Sequence, residues 1–299
     1  MMILMQVMVT PFPAGTFTSD QIVVCKRGDI ARVAKAENVA AGGAGGFILY
    51  NAGWSETTVA DNYVIPGIHI DASNGGKIVR WIDSTDWENS TYTATIPAGV
   101  NTYTTDGVAN SLAIFSSTGP AKTTNTLVPD LTAPGVDIYA ANADDQPFTA
   151  YPRSSDWTMM SGTSMAAPHV TGAMTLLSQM HPDWTPAEIQ SALMMTAKPV
   201  SLHLGRGIYV PTFYHFMAGA GAIDVSLATQ AGLVLDESIE GYKSANPNNG
   251  GVDNWTNIPS MVDMDCEKSC SFMRTVKATQ DGSWNAAVLA EDSDVEITV

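Results

Sequence analysis

The sequence predicts an α/β protein whose strands run parallel, and three observations lead there. Short, continuously apolar runs, Ile22-Val23-Val24-Cys25 and Phe47-Ile48-Leu49-Tyr50, alternate with stretches of helical periodicity between residues 17 and 84. Residues 113–120 and 128–138 hold further short apolar runs closed by Gly-Pro or Pro-Gly turns, the pattern of parallel strands with loops at their ends. A long apolar helical run, Ala166 to Met180, follows a turn made of small residues.

Each element has a local reason. The strand Gln21 to Cys25 ends at the charged turn Lys26-Arg27-Gly28-Asp29, and Asp29 is placed to cap a helix over 30–41 with Ile30, Val33, Ala34 and Ala40 as its apolar stripe. Glycines 42, 43, 45 and 46 stop that helix before the buried strand 47–50. This glycine cluster is not a phosphate loop, because it follows a helix and opens a strand. Val64 to Ile70 predicts a strand that Pro66 sends to an edge or bends, and a helix over 73–82 follows. Downstream, Thr185-Pro186-Ala187-Glu188 is a capping box with proline at the first helical position, opening a helix over 186–197. After Asp236 the composition turns to Ser, Asn, Gly and Pro, and Asn246-Pro247-Asn248-Asn249-Gly250-Gly251 reads as a linker. Short strands are expected beyond it at Val262, 272–276 and 286–289.

Composition narrows the function. The 299 residues suffice for a sizeable core and two or more folding units. A net charge of −16 leaves nothing to neutralise phosphates, so no nucleic-acid partner is expected and anionic membrane surfaces are disfavoured. The acidic, lysine-poor composition suits a secreted, extracellular protein. The first nine residues, apolar apart from Gln6, have no basic flank and are too short for a membrane span, and they read as a strand from the middle of a longer chain. Of three cysteines, Cys25 fits a buried strand. Cys266 and Cys270, in Cys-Glu-Lys-Ser-Cys, are open to a disulfide, to weak metal ligation or to two free thiols.

The chemistry concentrates at residues 161–172, Ser-Gly-Thr-Ser-Met-Ala-Ala-Pro-His-Val-Thr-Gly. Ser164 stands between a glycine-bearing turn and the first turn of a helix. Its hydroxyl is thus offered at the positive end of the helix dipole, beside backbone N–H groups that can face an oxyanion. This segment resembles the nucleophile motif of the subtilisin-like serine proteases, the subtilases, with Ser164 at the nucleophile position. Residues 113–120 and 128–138 match two further stretches of that family, with Thr118 where the family more often has arginine. The pattern from Ile22 to Gly28, then 41–51, then 65–70 resembles the protease-associated (PA) domain, which many subtilases carry as an insertion ahead of the nucleophile.

The resemblance implies a C-terminal half of a subtilisin-like parallel-sheet catalytic domain, an inserted α/β PA domain and the start of a β-rich, fibronectin type III-like domain. The expected divisions are 1–16 as a catalytic-domain remnant, 17–84 as the PA domain, 85–235 as the nucleophile half, 236–252 as a linker and 253–299 as the opening of the last domain. It implies a serine endopeptidase acting on protein or peptide substrates without a cofactor or metal. Ser164 would be the nucleophile, with Gly162 and Thr163 shaping the turn and the nearby substrate wall.

A serine needs a base. His169, five positions beyond Ser164, points away from it at about 100° per helical residue, and Pro168 is expected in the first turn, where a missing N–H costs little. His69, His181, His203 and His215 read as surface or packing histidines, since none stands in a His-Gly-Thr-His setting. Asp130 and Asp137 read as structural loop acids. In the subtilisin order the aspartate and histidine precede the serine, so the resemblance implies that the catalytic Asp and His, and the asparagine that completes the oxyanion hole in members with a PA insertion, lie upstream of residue 1. This fragment is then expected to be inactive and cut at both ends. The rival reading is a protease-derived binding or regulatory module that works through the PA surface. A third reading, some other hydrolase, ranks last, because the Gly-x-Ser-x-Gly elbow of α/β-hydrolases is absent: Met165 and Ala166 follow the serine.

Overall fold

The computed structural model describes residues 2–5, 9–53, 56, 58–84, 93–96, 111–143, 156–203, 209–210, 215–288 and 297. Its first unit is a parallel four-stranded sheet in the order β1 (Met2–Met5), β2 (Ile22–Lys26), β3 (Gly46–Tyr50), β4 (Gly67–Ile70). Helix α1 (Arg32–Ala41) joins β2 to β3, and α2 (Ala72–Ser84) follows β4. Successive strand residues point to opposite faces. Val23, Cys25, Phe47 and Leu49 accordingly pack with Ala36 and Val39 of α1, whereas Val24 and Ile48 pack with Ile78 and Ile82 of α2. Being covered on both faces is what lets the runs 22–25 of β2 and 47–49 of β3 be continuously apolar.

Several expectations need correction here. The structure carries β1 in the same sheet as β2, paired Met2 to Ile22 through Met5 to Cys25, and Phe12 packs on the cluster around Phe17. Residues 2–5 and Phe12 thus pack with the sheet that follows. Asp29 does not cap α1: it is left-handed (φ 65°), the helix starts only at Arg32, and its N-cap is Ala31 without a side-chain bond. The sheet also selects a different inward face of α1, burying Lys35, Ala36, Asn38 and Val39. β4 starts after Pro66, whose carbonyl accepts from the Phe47 N–H at 2.9 Å, and β4 is an edge strand.

The second unit is less regular. β5 (Ser111–Leu112) pairs parallel with β8 (Ser201–His203), which pairs antiparallel with β9 (Tyr209–Val210). β6 (Ile138–Ala141) and β7 (Trp157–Met160) form an antiparallel pair. Among the described residues, the parallel pairing expected in 85–235 is limited to β5 with β8 and a bridge from Thr132 to Ala222. Helices α3 (Thr163–Met180), α4 (Pro186–Met195) and α6 (Val225–Ala228) share a core of Ala173, Leu177, Ile189, Leu193 and Ala228. The short α5 (His215–Ala218) lies between β9 and α6 in the chain.

The capping box at α4 forms as predicted. Thr185 Oγ1 accepts from the Glu188 N–H at 3.1 Å, and Glu188 Oε2 accepts from the Thr185 N–H at 2.8 Å. Residues 236–252 carry more structure than a linker: Ser238 caps α7 (Ile239–Ala245) by accepting from the Gly241 N–H at 2.9 Å, and a 3-10 turn follows at Pro247–Asn249. Beyond them, the described residues hold a 3-10 turn at Asp253–Trp255 and one strand, β11 (Lys277–Ala278), antiparallel to β10 (Leu233–Val234). The strands expected at Val262 and 272–276 are absent there. Arg274 instead donates to the carbonyls of Ile258, Asn254 and Ser260, which occupies backbone that a ladder would use. Cys266 and Cys270 are joined in a disulfide, with Cα atoms 5.8 Å apart.

Candidate active site

The β6–β7 pair delivers the chain to Ser164. β7 ends at Met160, Ser161 and Gly162 make the turn, and α3 begins at Thr163, placing Ser164 at its second position. Gly162 is the N-cap and has no side chain to offer, so α3 starts uncapped. Its N–H donates to Gly135 at 2.8 Å, and its carbonyl accepts from Met165 and Ala166 at 3.0 and 3.3 Å. Among the described residues nothing accepts from the backbone N–H of Thr163 or Ser164. Ser164 and Thr163 are exposed. The outcome is a hydroxyl at the surface with its own N–H open beside it, on the positive end of an eighteen-residue helix.

Gly135 fixes how tightly the turn is seated. A Cβ there would lie 2.9 Å from the Gly162 carbonyl oxygen and 3.2 Å from Ala166 Cβ. Two residues on, Asp137 holds the turn from the side. Its N–H donates to Ser161 Oγ at 2.8 Å, and Ser161 Oγ donates back to Asp137 Oδ1 at 3.1 Å. Asp137 is left-handed (φ 51°), a conformation aspartate tolerates better than most residues. On the same strand pair, Tyr139 and Trp157 stack with ring centres 5.6 Å apart and remain exposed.

The histidines lie elsewhere. His169 Nδ1 meets the Met165 carbonyl at 2.8 Å, and since a carbonyl only accepts, Nδ1 holds the proton and the ring is tied to its own helix. His181 stacks on Trp184 and contacts the Thr229 carbonyl, and His215 contacts the Gly219 carbonyl. His69 belongs to the first unit. Its Nε2 is 2.8 Å from Asn51 Oδ1, and its Nδ1 accepts from the Val59 N–H at 3.2 Å. Burial is the main reason its pKa falls to about 4. None of these contacts is with Ser164. The side chain of His203 lies outside the described residues.

Pro168 departs from expectation. With α3 starting at Thr163, Pro168 occupies its second turn, so the helical bond onto the Ser164 carbonyl cannot form. Burial pushes the Cys25 thiol up to about 12, which fits a packing role in β2.

The profile of the subtilase family matches residues 70–242, more than half of the chain, and includes the whole Ser164 turn. The chain belongs to the subtilase family. Residues 9–78 match the PA domain, so the parallel sheet of the first unit is largely this domain. Similar relatives are the subtilisin-like proteases SBT1.7 and SBT1.4 of Arabidopsis thaliana, 40% and 36% identical over 236 and 239 residues. Those alignments cover 74% and 76% of this chain and 30% of each relative. SBT1.5 of the same plant is 41% identical over 60% of this chain and 24% of its own length. The chain therefore spans about 30% of the length of the first two relatives.

Asp137, Ser161 and Gly135 are site residues that sequence reasoning did not single out as such. Pro134-Gly135 signals a turn. Nothing local signals that the turn is pressed against a segment 24 residues later.

Proposed function

We propose that the whole protein is a serine endopeptidase that cleaves protein or peptide substrates through an acyl-enzyme at Ser164. The observation that carries this reading is the exposed Ser164 at the uncapped start of α3, within a subtilase match. Ser164 Oγ attacks the scissile carbonyl carbon and passes its proton to a histidine. The negative charge on the carbonyl oxygen is met by the Ser164 N–H. Collapse breaks the C–N bond, the leaving amine takes the proton from the histidine, and water then releases the acyl group. Gly162 and Thr163 shape the turn and the adjoining substrate wall.

The histidine, its aspartate and a side-chain oxyanion donor come from the part of the protein outside these residues, and the 299-residue chain by itself is inactive. Two observations support this. The histidines with described side chains are engaged away from Ser164, and α3 leaves Leu176 and Met180 exposed on a helix that buries only Ala173 and Leu177. Residues 17–84 are assigned to the PA domain, 85–235 to the nucleophile half, and 253–299 to the start of a fibronectin type III-like domain. The disulfide supports a secreted, extracellular protein, because such bridges persist in oxidising compartments.

Peptide hydrolysis by the full-length protein tests the reading. Ser164→Ala is expected to lower kcat by about 10⁶-fold with unchanged circular dichroism. Turnover retained in that variant would refute it.

A further inference from the structure

The PA domain touches the nucleophile turn through one carboxylate oxygen. Asp137 Oδ1 accepts from Ser161 Oγ at 3.1 Å and also from the backbone N–H of Ala60, in the PA loop, at 2.7 Å. A second contact lies alongside, from Asn62 Nδ2 to Thr158 Oγ1 at 2.9 Å, and Thr158 is on β7 opposite Ala140 of β6. The loop that makes both contacts is held firmly from its own side. Val59 is buried, and its N–H is bound by His69. Asp61 is gripped by Arg32 through two bonds of 2.6 and 3.0 Å and also receives the Tyr63 hydroxyl at 3.4 Å. An anchored loop that donates to Asp137 Oδ1 constrains where that oxygen sits. Ser161 is bonded to Asp137 twice and stands three residues before Ser164.

We propose that Asp137 is a positioning residue that transmits the placement of PA loop 59–62 to the nucleophile turn, so that the PA domain regulates the site through this contact. Asp137 touches neither substrate nor any reacting atom; it fixes Ser161, and through the short turn the start of α3. A protein that pulls loop 59–62 away would release Ser161 and loosen the Ser164 turn. One that clamps the loop would hold Ser161 in place, and because coupling between two sites is reciprocal, ordering of the Ser164 turn would in turn favour that partner's binding. The proposal rests on the reading of Ser164 as nucleophile only for its consequence in catalysis; the mechanical link stands or falls separately.

Amide hydrogen exchange in the 299-residue chain tests it, with the Leu193 amide of the α4 core as internal reference. Asp137→Gly removes the accepting oxygen while permitting the left-handed backbone. It is expected to speed exchange at both Ala60 and Gly162 by about tenfold relative to Leu193, the factor carried by one hydrogen bond of ordinary net strength. Asp137→Asn keeps an accepting Oδ1 and is expected to hold both rates within about twofold of the parent, which a loss through mere backbone loosening would not restore. Asn62→Ala, a surface change that leaves Asp137 intact, is expected to raise the Gly162 rate about threefold from the PA side. Acceleration at Ala60 alone in the glycine variant, equal acceleration in the asparagine variant, or an unmoved Gly162 in Asn62→Ala would each overturn the link. Because exchange requires no turnover, these results are distinct from any failure of Ser164 to act as a nucleophile.

Discussion

In β2 and β3 every residue from Val23 to Cys25 and from Gly46 to Leu49 is buried, whereas the eighteen-residue α3 buries only Ala173 and Leu177. Both segments are apolar, but they are covered differently. The strands have α1 on one face and α2 on the other. α3 has α4 and α6 along one side, and among the described residues Leu176 at 52% and Met180 at 58% exposure stay open. The sealed sheet can be stable on its own terms, and it supplies a rigid base for loop 59–62. The open helix carries the hydroxyl, and its uncovered side is the surface that the rest of the proposed catalytic domain would close.

That contrast can be broken at its strong end first. Phe47 is fully buried and packs edge-to-face on Tyr63 at 5.1 Å, so Phe47→Ala is expected to cost the first unit about 3–5 kcal/mol in urea unfolding. A loss below about 1 kcal/mol would mean that the sheet is less tightly sealed than described.

The sealed unit should also respond to acid. The folded pKa of His69, about 4, lies below the ordinary value of 6.5, chiefly because burial disfavours the charged ring. Between these values the unfolded chain binds more protons, so the stabilisation is complete above pH 6.5 and is lost as pH falls through 4. The expected loss across that window is about 3–3.5 kcal/mol, at about 1.4 kcal/mol per pH unit. His69→Gln, which can still donate to Asn51, should flatten the slope of stability against pH in that window. An unchanged slope would contradict the assignment.

Gly135→Ala probes the seam between the strand pair and α3. Its Cβ would press on the Gly162 carbonyl, so a cost of about 1–2 kcal/mol and a shifted Ser164 amide resonance are expected. The smallest effect belongs to the open face. Leu176→Ala should change the stability of this chain by less than about 0.5 kcal/mol, and the same substitution should cost several times more in the full-length protein if that face is covered there.

How much was legible in the sequence followed the range of the interactions involved. The Ser164 turn, the helix after it and the Thr185–Glu188 box are set by neighbours a few residues apart, and they were readable. The second role of Glu188 was not: it is buried and receives Lys277 Nζ at 2.7 Å from 89 residues away. Asp29 illustrates the opposite error, a residue with the right side chain for a cap placed where the backbone turns left-handed before the helix begins. The inward face of α1 is not legible locally, because the sheet, and not the local apolar stripe, decides which side packs. Asp137 looked like an ordinary loop acid since its partners, Ala60 and Ser161, stand 77 and 24 residues from it.

Labelling with a fluorophosphonate probe tests the central claim most directly, because the probe reacts only with a serine that has a working base. The account predicts that Ser164 in the 299-residue chain remains unlabelled while Ser164 in the full-length protein is labelled at a hydrolase-like rate. Rapid labelling of Ser164 in the chain alone would show that its base lies within these residues, and would contradict the account.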